Sequence, residues 1–152
     1  MGSSIVEIDI QKPENQSIQA GDQKSPIRQQ SISGVKYIIA IASGKGGVGK
    51  STVSINIAAA LSNNHKVGLL DLDIYGPSLP MLVDVYKQPE MTPEKKLIPI
   101  EKYNMQFMSF GFINSQNSPT IWRGPMVSRM TQQFFEDVQW GNLDFLILDL
   151  PP

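Results

Sequence analysis

The chain has no cysteine among its 152 residues, which removes disulfides, thiolate-held metal clusters and Cys-dependent zinc sites from what it can build alone. Histidine is nearly as scarce, and the lone His65 offers little to a metal ion. An excess of charge is also missing: 13 Lys and Arg stand against 14 Asp and Glu, a formal charge of −1. No global field therefore draws the protein onto nucleic acid or an anionic membrane, and either partner needs a local patch. The apolar stretches are short and broken by Gly, Pro or charge, well below the roughly 20 residues of a spanning helix. The N-terminus lacks a basic region followed by an apolar core and a small-residue cleavage site, so export is not indicated. These absences predict a soluble protein with the cytoplasm as its default compartment, and the length fits one domain.

What is present changes character along the chain. Residues 1–34 are rich in Gln, Ser and charge and are broken by Pro13, Gly21, Pro26 and Gly34, which predicts a flexible leader. Within it Ile5 to Ile10 alternates well enough for a short strand. From Val35 to Ala42 the residues are β-branched or apolar almost without interruption, the pattern of a strand covered on both faces. A glycine-rich loop follows, then a helix from Ser51 to about Ser62, with Val53, Ile57, Ala60 and Leu61 at helical spacing and Asn63-Asn64 as its stop. Lys66 to Asp73 reads as a second strand ending in carboxylates, so the first three elements form a βαβ unit. Tyr75-Gly76-Pro77-Ser78 is a turn. Residues 86–102 carry three prolines and mixed charge and read as an excursion over the surface. Met105 to Phe112 alternates like another strand. Met126, Val127, Met130, Phe134 and Val138 share one face of an amphipathic helix, with Arg129, Gln132, Gln133 and Asp137 on its other sides. Leu143 to Asp149 is a last buried strand.

A polyphosphate needs many donors brought close without side chains in the way, and Gly44, Gly46, Gly47 and Gly49 supply the bends for such a loop. The spacing G-x-x-x-x-G-K-S puts Lys50 at the first turn of the helix, aimed at the β- and γ-phosphates of ATP, and places the Ser51 hydroxyl to ligand Mg²⁺. The helix dipole adds to the attraction. The competing reading is a glycine-rich turn that merely joins strand to helix. Asp149 ends an apolar strand where a carboxylate can hold Mg²⁺ through its water shell, although Asp is also common wherever a strand meets a turn. Asp71 and Asp73 stand two apart and would share a face of a regular strand. Asp73, nearer the turn, is favoured for orienting the attacking water, and Asp71 for bracing the strand end.

Ser43-Gly44-Lys45-Gly46-Gly47-Val48-Gly49-Lys50-Ser51-Thr52 resembles the deviant Walker A motif of the MinD/ParA-type P-loop ATPases, whose mark is the additional lysine, here Lys45. Asp71 to Ser78, Trp122-Arg123-Gly124-Pro125-Met126, and Trp140 to Asp144 followed by Asp149-Leu150-Pro151-Pro152 narrow the resemblance to the Mrp/ApbC branch of ATP-dependent iron–sulfur cluster carriers. It covers about residues 35–152. The resemblance implies an α/β P-loop NTPase fold, a mostly parallel sheet flanked by helices. It also implies a homodimer with ATP between the subunits, in which Lys45 reaches the nucleotide of the opposite subunit, a cation placed where charge develops on the phosphates. A solvated loop lysine is the other reading of Lys45. Residues 44–52, Val48 and Thr52 included, are implied as the nucleotide cradle, Lys45, Lys50 and Asp73 as catalytic, and Ser51 and Asp149 as the magnesium site. Arg123 lies in a family-typical segment with no derived role.

The family pattern runs on past the Pro-Pro pair into Gly-Thr-Gly-Asp, further strands and helices, and a CxxC pair that holds a bridging cluster between subunits. None of this is in the 152 residues, so the fold is expected to be incomplete at the C-terminus, as in a truncated or split gene product. The resulting expectation is the ATP-binding, ATP-hydrolysing part of an iron–sulfur carrier, without a cluster of its own. Two alternatives remain. One is a positioning ATPase that uses the dimer to reach membrane or DNA, whose relatives usually show Gln-Gly after the paired aspartates. The other is a non-catalytic fragment that binds nucleotide or a partner subunit without turnover.

Overall fold

In the computed structural model the described residues are 31–113 and 124–152. The leader up to residue 30, with the short strand expected at Ile5–Ile10, lies outside them, and so do Trp122 and Arg123. Among these residues five strands form one sheet: β1 (Val35–Ile41), β2 (Val67–Asp71), β3 (Ile100–Lys102), β4 (Met105–Ser109) and β5 (Leu143–Asp149). Their order is β1-β5-β2-β4-β3. The first four in that order run parallel, and β3 is antiparallel to β4. The helices are α1 (Lys50–Ser62), α2 (Leu79–Val83), α3 (Phe110–Ile113) and α4 (Gly124–Glu136).

The leucine-rich run of β5 lies inside the sheet, paired on both edges and buried over its last four residues. Alternate residues of β2 and β5 feed opposite sides of the sheet. Leu70, Leu146 and Leu148 pack toward Phe134 of α4, with Phe110 and Trp140. Val67, Leu69 and Ile147 pack instead toward Ala58 of α1 and Leu79 and Val83 of α2. β1 and β2 lie in one sheet as the βαβ reading requires, but β5 is inserted between them.

Several expectations shift. β1 pairs with β5 alone among the described residues, and its Tyr37 and Ile38 are 62% and 45% exposed. The apolar run there is thus not covered on both faces within residues 31–113 and 124–152. α1 turns Ser54, Ala58 and Ser62 inward, with Ile55, Ile57 and Leu61 partly buried, while Val53 is 50% exposed and Ala60 is exposed. Small residues are what bring this helix close to the sheet. Met126 of α4 is likewise outside the core, whereas Phe134 and Val138 are inside it.

The excursion at 86–102 is more than surface, because it ends in β3. Ile100 is buried and Leu97 exchanges backbone hydrogen bonds with Asp137 and Gln139. The β3–β4 hairpin turns on Tyr103 and Asn104, both left-handed at φ 51° and 58°. Two positive φ values match the right-handed twist of the strands, so the turn closes with two residues even without glycine. β4 stops at Ser109 rather than Phe112, and the chain coils into α3. There Gly111 meets Pro80 so closely that an added Cβ would lie 2.6 Å from the proline ring.

Candidate phosphate-binding site

The C-terminal ends of β1, β2 and β5 come together in register, with Ile41 beside Asp149 and Asp149 beside Asp71. The chain leaves β1 through the glycine loop and enters α1 at Lys50. Gly47 and Gly49 adopt φ 73° and 91°, left-handed values that an L side chain resists. The Ser43 hydroxyl donates to the Lys45 carbonyl at 2.9 Å and braces the entrance of the loop. No side chain caps the N-terminus of α1. The first-turn amides therefore face the loop with their donors and their share of the helix dipole uncommitted to a capping residue.

These amides open on a cleft of about 340 Å³ lined by Lys45, Gly46, Gly47, Gly49, Lys50, Ser51, Thr52 and Asp73, with Ser78, Met81 and Leu82 opposite. Its size lies at the lower end of the range for small-ligand sites. A larger groove, about 1,020 Å³, separates Ile38 of β1 from Val127 and Phe135 of α4, but among the described residues Glu136 is the one titratable group in its lining. The chemistry is concentrated in the smaller cleft.

Lys50 and Asp149 form an ion pair there, Nζ to Oδ1 2.7 Å, with side chains 8% and 2% exposed. The Ser54 hydroxyl lies 2.8 Å from the same carboxylate oxygen. Asp73 sits beyond the end of β2, in the loop rather than on the strand. Its Oδ1 accepts the backbone N–H groups of Tyr75 and Gly76 at 3.1 and 3.0 Å, an Asx turn that fixes the carboxylate. Asp71 is buried and does not share the cleft. Its Oδ1 accepts Asp73 N–H at 3.0 Å, while Oδ2 accepts the Ser109 hydroxyl at 3.0 Å and Leu79 N–H at 3.4 Å. Burial pushes the Asp71 carboxyl up to about 6, against hydrogen bonds from Asp73, Ser109 and Leu79 that favour the charge and with Asp149 nearby opposing it. Asp71 thus braces the loop that carries Asp73.

The structure brings the sequence-predicted Lys45, Lys50, Ser51, Thr52 and Asp73 to one cleft and puts Asp149 directly behind Lys50. Gly44 and Val48 are exposed, and neither is among the residues lining the cleft. Ser54 and Ser109 are not among the residues the sequence singles out. Ser54 could have been, since it falls four residues after Lys50 on the same helical face. Ser109 could not, because its contact depends on the pairing of β2 with β4.

Magnesium suits this donor set. A hydroxyl and one or two carboxylates beside a phosphate site are what Mg²⁺ uses when it keeps part of its water shell, in contrast to an all-protein cage. Among the described residues there is no cluster of three or more His, Cys, Asp or Glu that could form such a cage. Nor is any described helix long and apolar enough to cross a membrane.

Known proteins bear on the same segment. Residues 34–152 match the family described as ParA: NUBPL iron-transfer P-loop NTPase. An Arabidopsis thaliana protein described as an iron-sulfur protein required for NADH dehydrogenase, mitochondrial, is 44% identical over 90% of this chain and 43% of its own length. An iron-sulfur cluster carrier protein of Aquifex aeolicus is 49% identical over 86% of this chain and 36% of its own. Among solved structures, a nucleotide-binding protein from Archaeoglobus fulgidus in complex with ADP superposes with TM-score 0.66 at 35% identity, over 80% of this chain and 46% of that one. The chain spans less than half the length of these relatives. With the glycine loop, the parallel sheet and this match over 34–152 in agreement, the chain belongs to the NUBPL iron-transfer P-loop NTPase family.

Proposed function

We propose that this chain is the ATP-binding and ATP-hydrolysing part of an iron–sulfur cluster carrier. The observation that carries the reading is the convergence of the uncapped α1 N-terminus, the left-handed glycines, Lys50, Ser51 and Asp73 on one cleft. In this reading the amides of Gly44 to Thr52 bind the β- and γ-phosphates, and Lys50 leaves Asp149 to join them. Ser51 and Asp149 hold Mg²⁺, which supplies positive charge against the phosphate oxygens. Asp73 orients the attacking water through Oδ2, since Oδ1 is already occupied by Tyr75 and Gly76. The exposed Lys45 on the rim of the cleft reaches the nucleotide of a second copy when two subunits close face to face.

The cluster is cargo in this proposal. With no cysteine in the 152 residues, its thiolate ligands come from outside them, and the recipient apoproteins dock on the cluster-bearing part. The protein works in an aqueous compartment, the cytoplasm being the default, and engages neither nucleic acid nor membrane through this chain.

Calorimetric titration with Mg-ATP and a phosphate-release assay test the reading. The wild type is expected to bind Mg-ATP, Lys50→Ala to lose most of that affinity with its circular dichroism retained, and Asp73→Asn to keep the affinity while hydrolysis falls at least about 100-fold, the scale of general acid–base contributions. Equal affinity in wild type and Lys50→Ala would sink the site. Binding with no turnover above the Lys50→Ala control would reduce the chain to a nucleotide-binding fragment.

A further inference from the structure

Ser54 is buried in the middle of α1 with no accessible surface. A buried serine in a helix interior gives up helix propensity relative to alanine and needs a partner for its hydroxyl. The usual solution is local, and Ser62 of the same helix shows it, bonding back to the Ala59 carbonyl at 2.9 Å. Ser54 differs. Its oxygen is 3.1 Å from the Lys50 carbonyl and 2.8 Å from Asp149 Oδ1, on a different element. A hydroxyl has one proton to give, and the shorter contact to a charged acceptor takes it.

Asp149 Oδ1 therefore has two donors, the Lys50 ammonium and the Ser54 hydroxyl. They are not equivalent when nucleotide arrives. Lys50 has a long, flexible stem and is the group that phosphate competes for, whereas the Ser54 hydroxyl is one bond from a Cβ fixed in the helix. A buried carboxylate that lost Lys50 with nothing else to hold it would be free to rotate or follow the ammonium.

We infer that Ser54 is a positioning residue for Asp149, holding the carboxylate in place while its cationic partner changes from Lys50 to the hydrated magnesium of Mg-ATP. This rests on the nucleotide-binding reading above and adds a residue to it. Its consequence is specific. Ser54 governs how strongly magnesium raises nucleotide affinity, and leaves magnesium-free affinity nearly alone, because only the magnesium-bound state needs the Asp149 carboxylate in a fixed position.

The test is a nucleotide titration of the full chain, with a fluorescent ATP analogue in EDTA and at graded Mg²⁺. For Ser54→Ala the Mg²⁺ concentration that gives half the affinity gain is expected to rise on the order of 10-fold, the lower range for loss of a group that orients a metal-holding side chain. Affinity in EDTA is expected to stay within about twofold of wild type, and Ser54→Thr, which keeps the hydroxyl, to restore the wild-type magnesium dependence. A Ser54→Ala protein that titrates with magnesium like wild type overturns the inference. So does equal weakening in EDTA and in magnesium, which is what a structural defect produces, or a Ser54→Thr protein indistinguishable from Ser54→Ala. If wild type binds no nucleotide in either condition, the nucleotide-binding reading itself has failed, and that outcome is distinct from the other three.

Discussion

Removing the Lys50 ammonium is expected to destabilise the nucleotide-free fold, and not only to abolish ATP binding. At 2.7 Å, and at an effective dielectric constant of about 20, the pair attracts by about 6 kcal/mol before desolvation is subtracted. With side chains only 8% and 2% exposed, both groups have already left water, so deleting one strands the other. Breaking a buried pair in this way costs about 3–5 kcal/mol, a large part of the roughly 5–15 kcal/mol that holds a domain of this kind together. For a chain of this length that corresponds to a fall in Tm of about 10 °C. The assay is thermal or urea unfolding of Lys50→Ala without nucleotide, beside Asp149→Asn and the double variant Lys50→Met/Asp149→Asn. The double variant removes both charges of the pair, and the side-chain carbonyl of the introduced asparagine still accepts from Ser54, so its stability is expected to return to within about 1 kcal/mol of wild type. A Lys50→Ala protein as stable as wild type, or a double variant no better than the single one, would refute the reasoning, because the ion pair would then not exist without nucleotide.

Two further outcomes follow from groups around the cleft. Asp71 carries a folded-state pKa raised from 3.8 to about 6, so it stabilises the fold fully below pH 3.8 and loses that contribution as pH rises through 6. The difference of about two units is worth about 3 kcal/mol, and Asp71→Asn, which cannot ionise, is expected to gain that much stability relative to wild type between pH 4 and 7 in urea melts; parallel pH profiles would remove the cause. Gly49→Ala places a Cβ at φ 91°, so about 1–2 kcal/mol of stability and most of the nucleotide affinity are expected to be lost, whereas an unchanged urea midpoint would show that the loop can relax out of the left-handed region.

The parts legible in the sequence are those where one physical demand dominates several adjacent residues. β5 begins at Leu143 and ends at Asp149 as expected because a strand buried over most of its length tolerates no polar residue near its centre. The phosphate loop is legible because glycine has few other reasons to recur at that spacing before Lys-Ser. β3 is hidden: three residues long, it follows Pro89, Pro93 and Pro99, and its turn uses Tyr103-Asn104 in place of the Asn-Gly that signals a hairpin. α2 and α3, five and four residues long, are too short for a 3.6-residue period to repeat. The buried face of α1 differs from the expected one for the opposite reason. Apolar residues occur nearly all around it, so spacing does not choose between Val53 and Ser54, and the close approach to β5 decides in favour of the smaller side chain. Asp71 and Asp73 are expected on one strand face; the chain leaves β2 after Asp71, and the two carboxylates take separate tasks.

Those tasks show why the site is stable before any nucleotide binds. Three acidic side chains meet the ends of β2 and β5, an arrangement that would repel if left unpaired. Each has its own remedy. Asp71 is held by two backbone N–H groups and a hydroxyl, Asp73 by two backbone N–H groups, and Asp149 by an ammonium and a hydroxyl. Only the third includes a partner that the proposed chemistry needs elsewhere. Asp149 can release Lys50 cheaply when another cation satisfies it, and at high cost otherwise, because its side chain is 2% exposed. In the proposed chemistry, nucleotide and magnesium would therefore be coupled through this pair, the one drawing Lys50 away and the other replacing its charge.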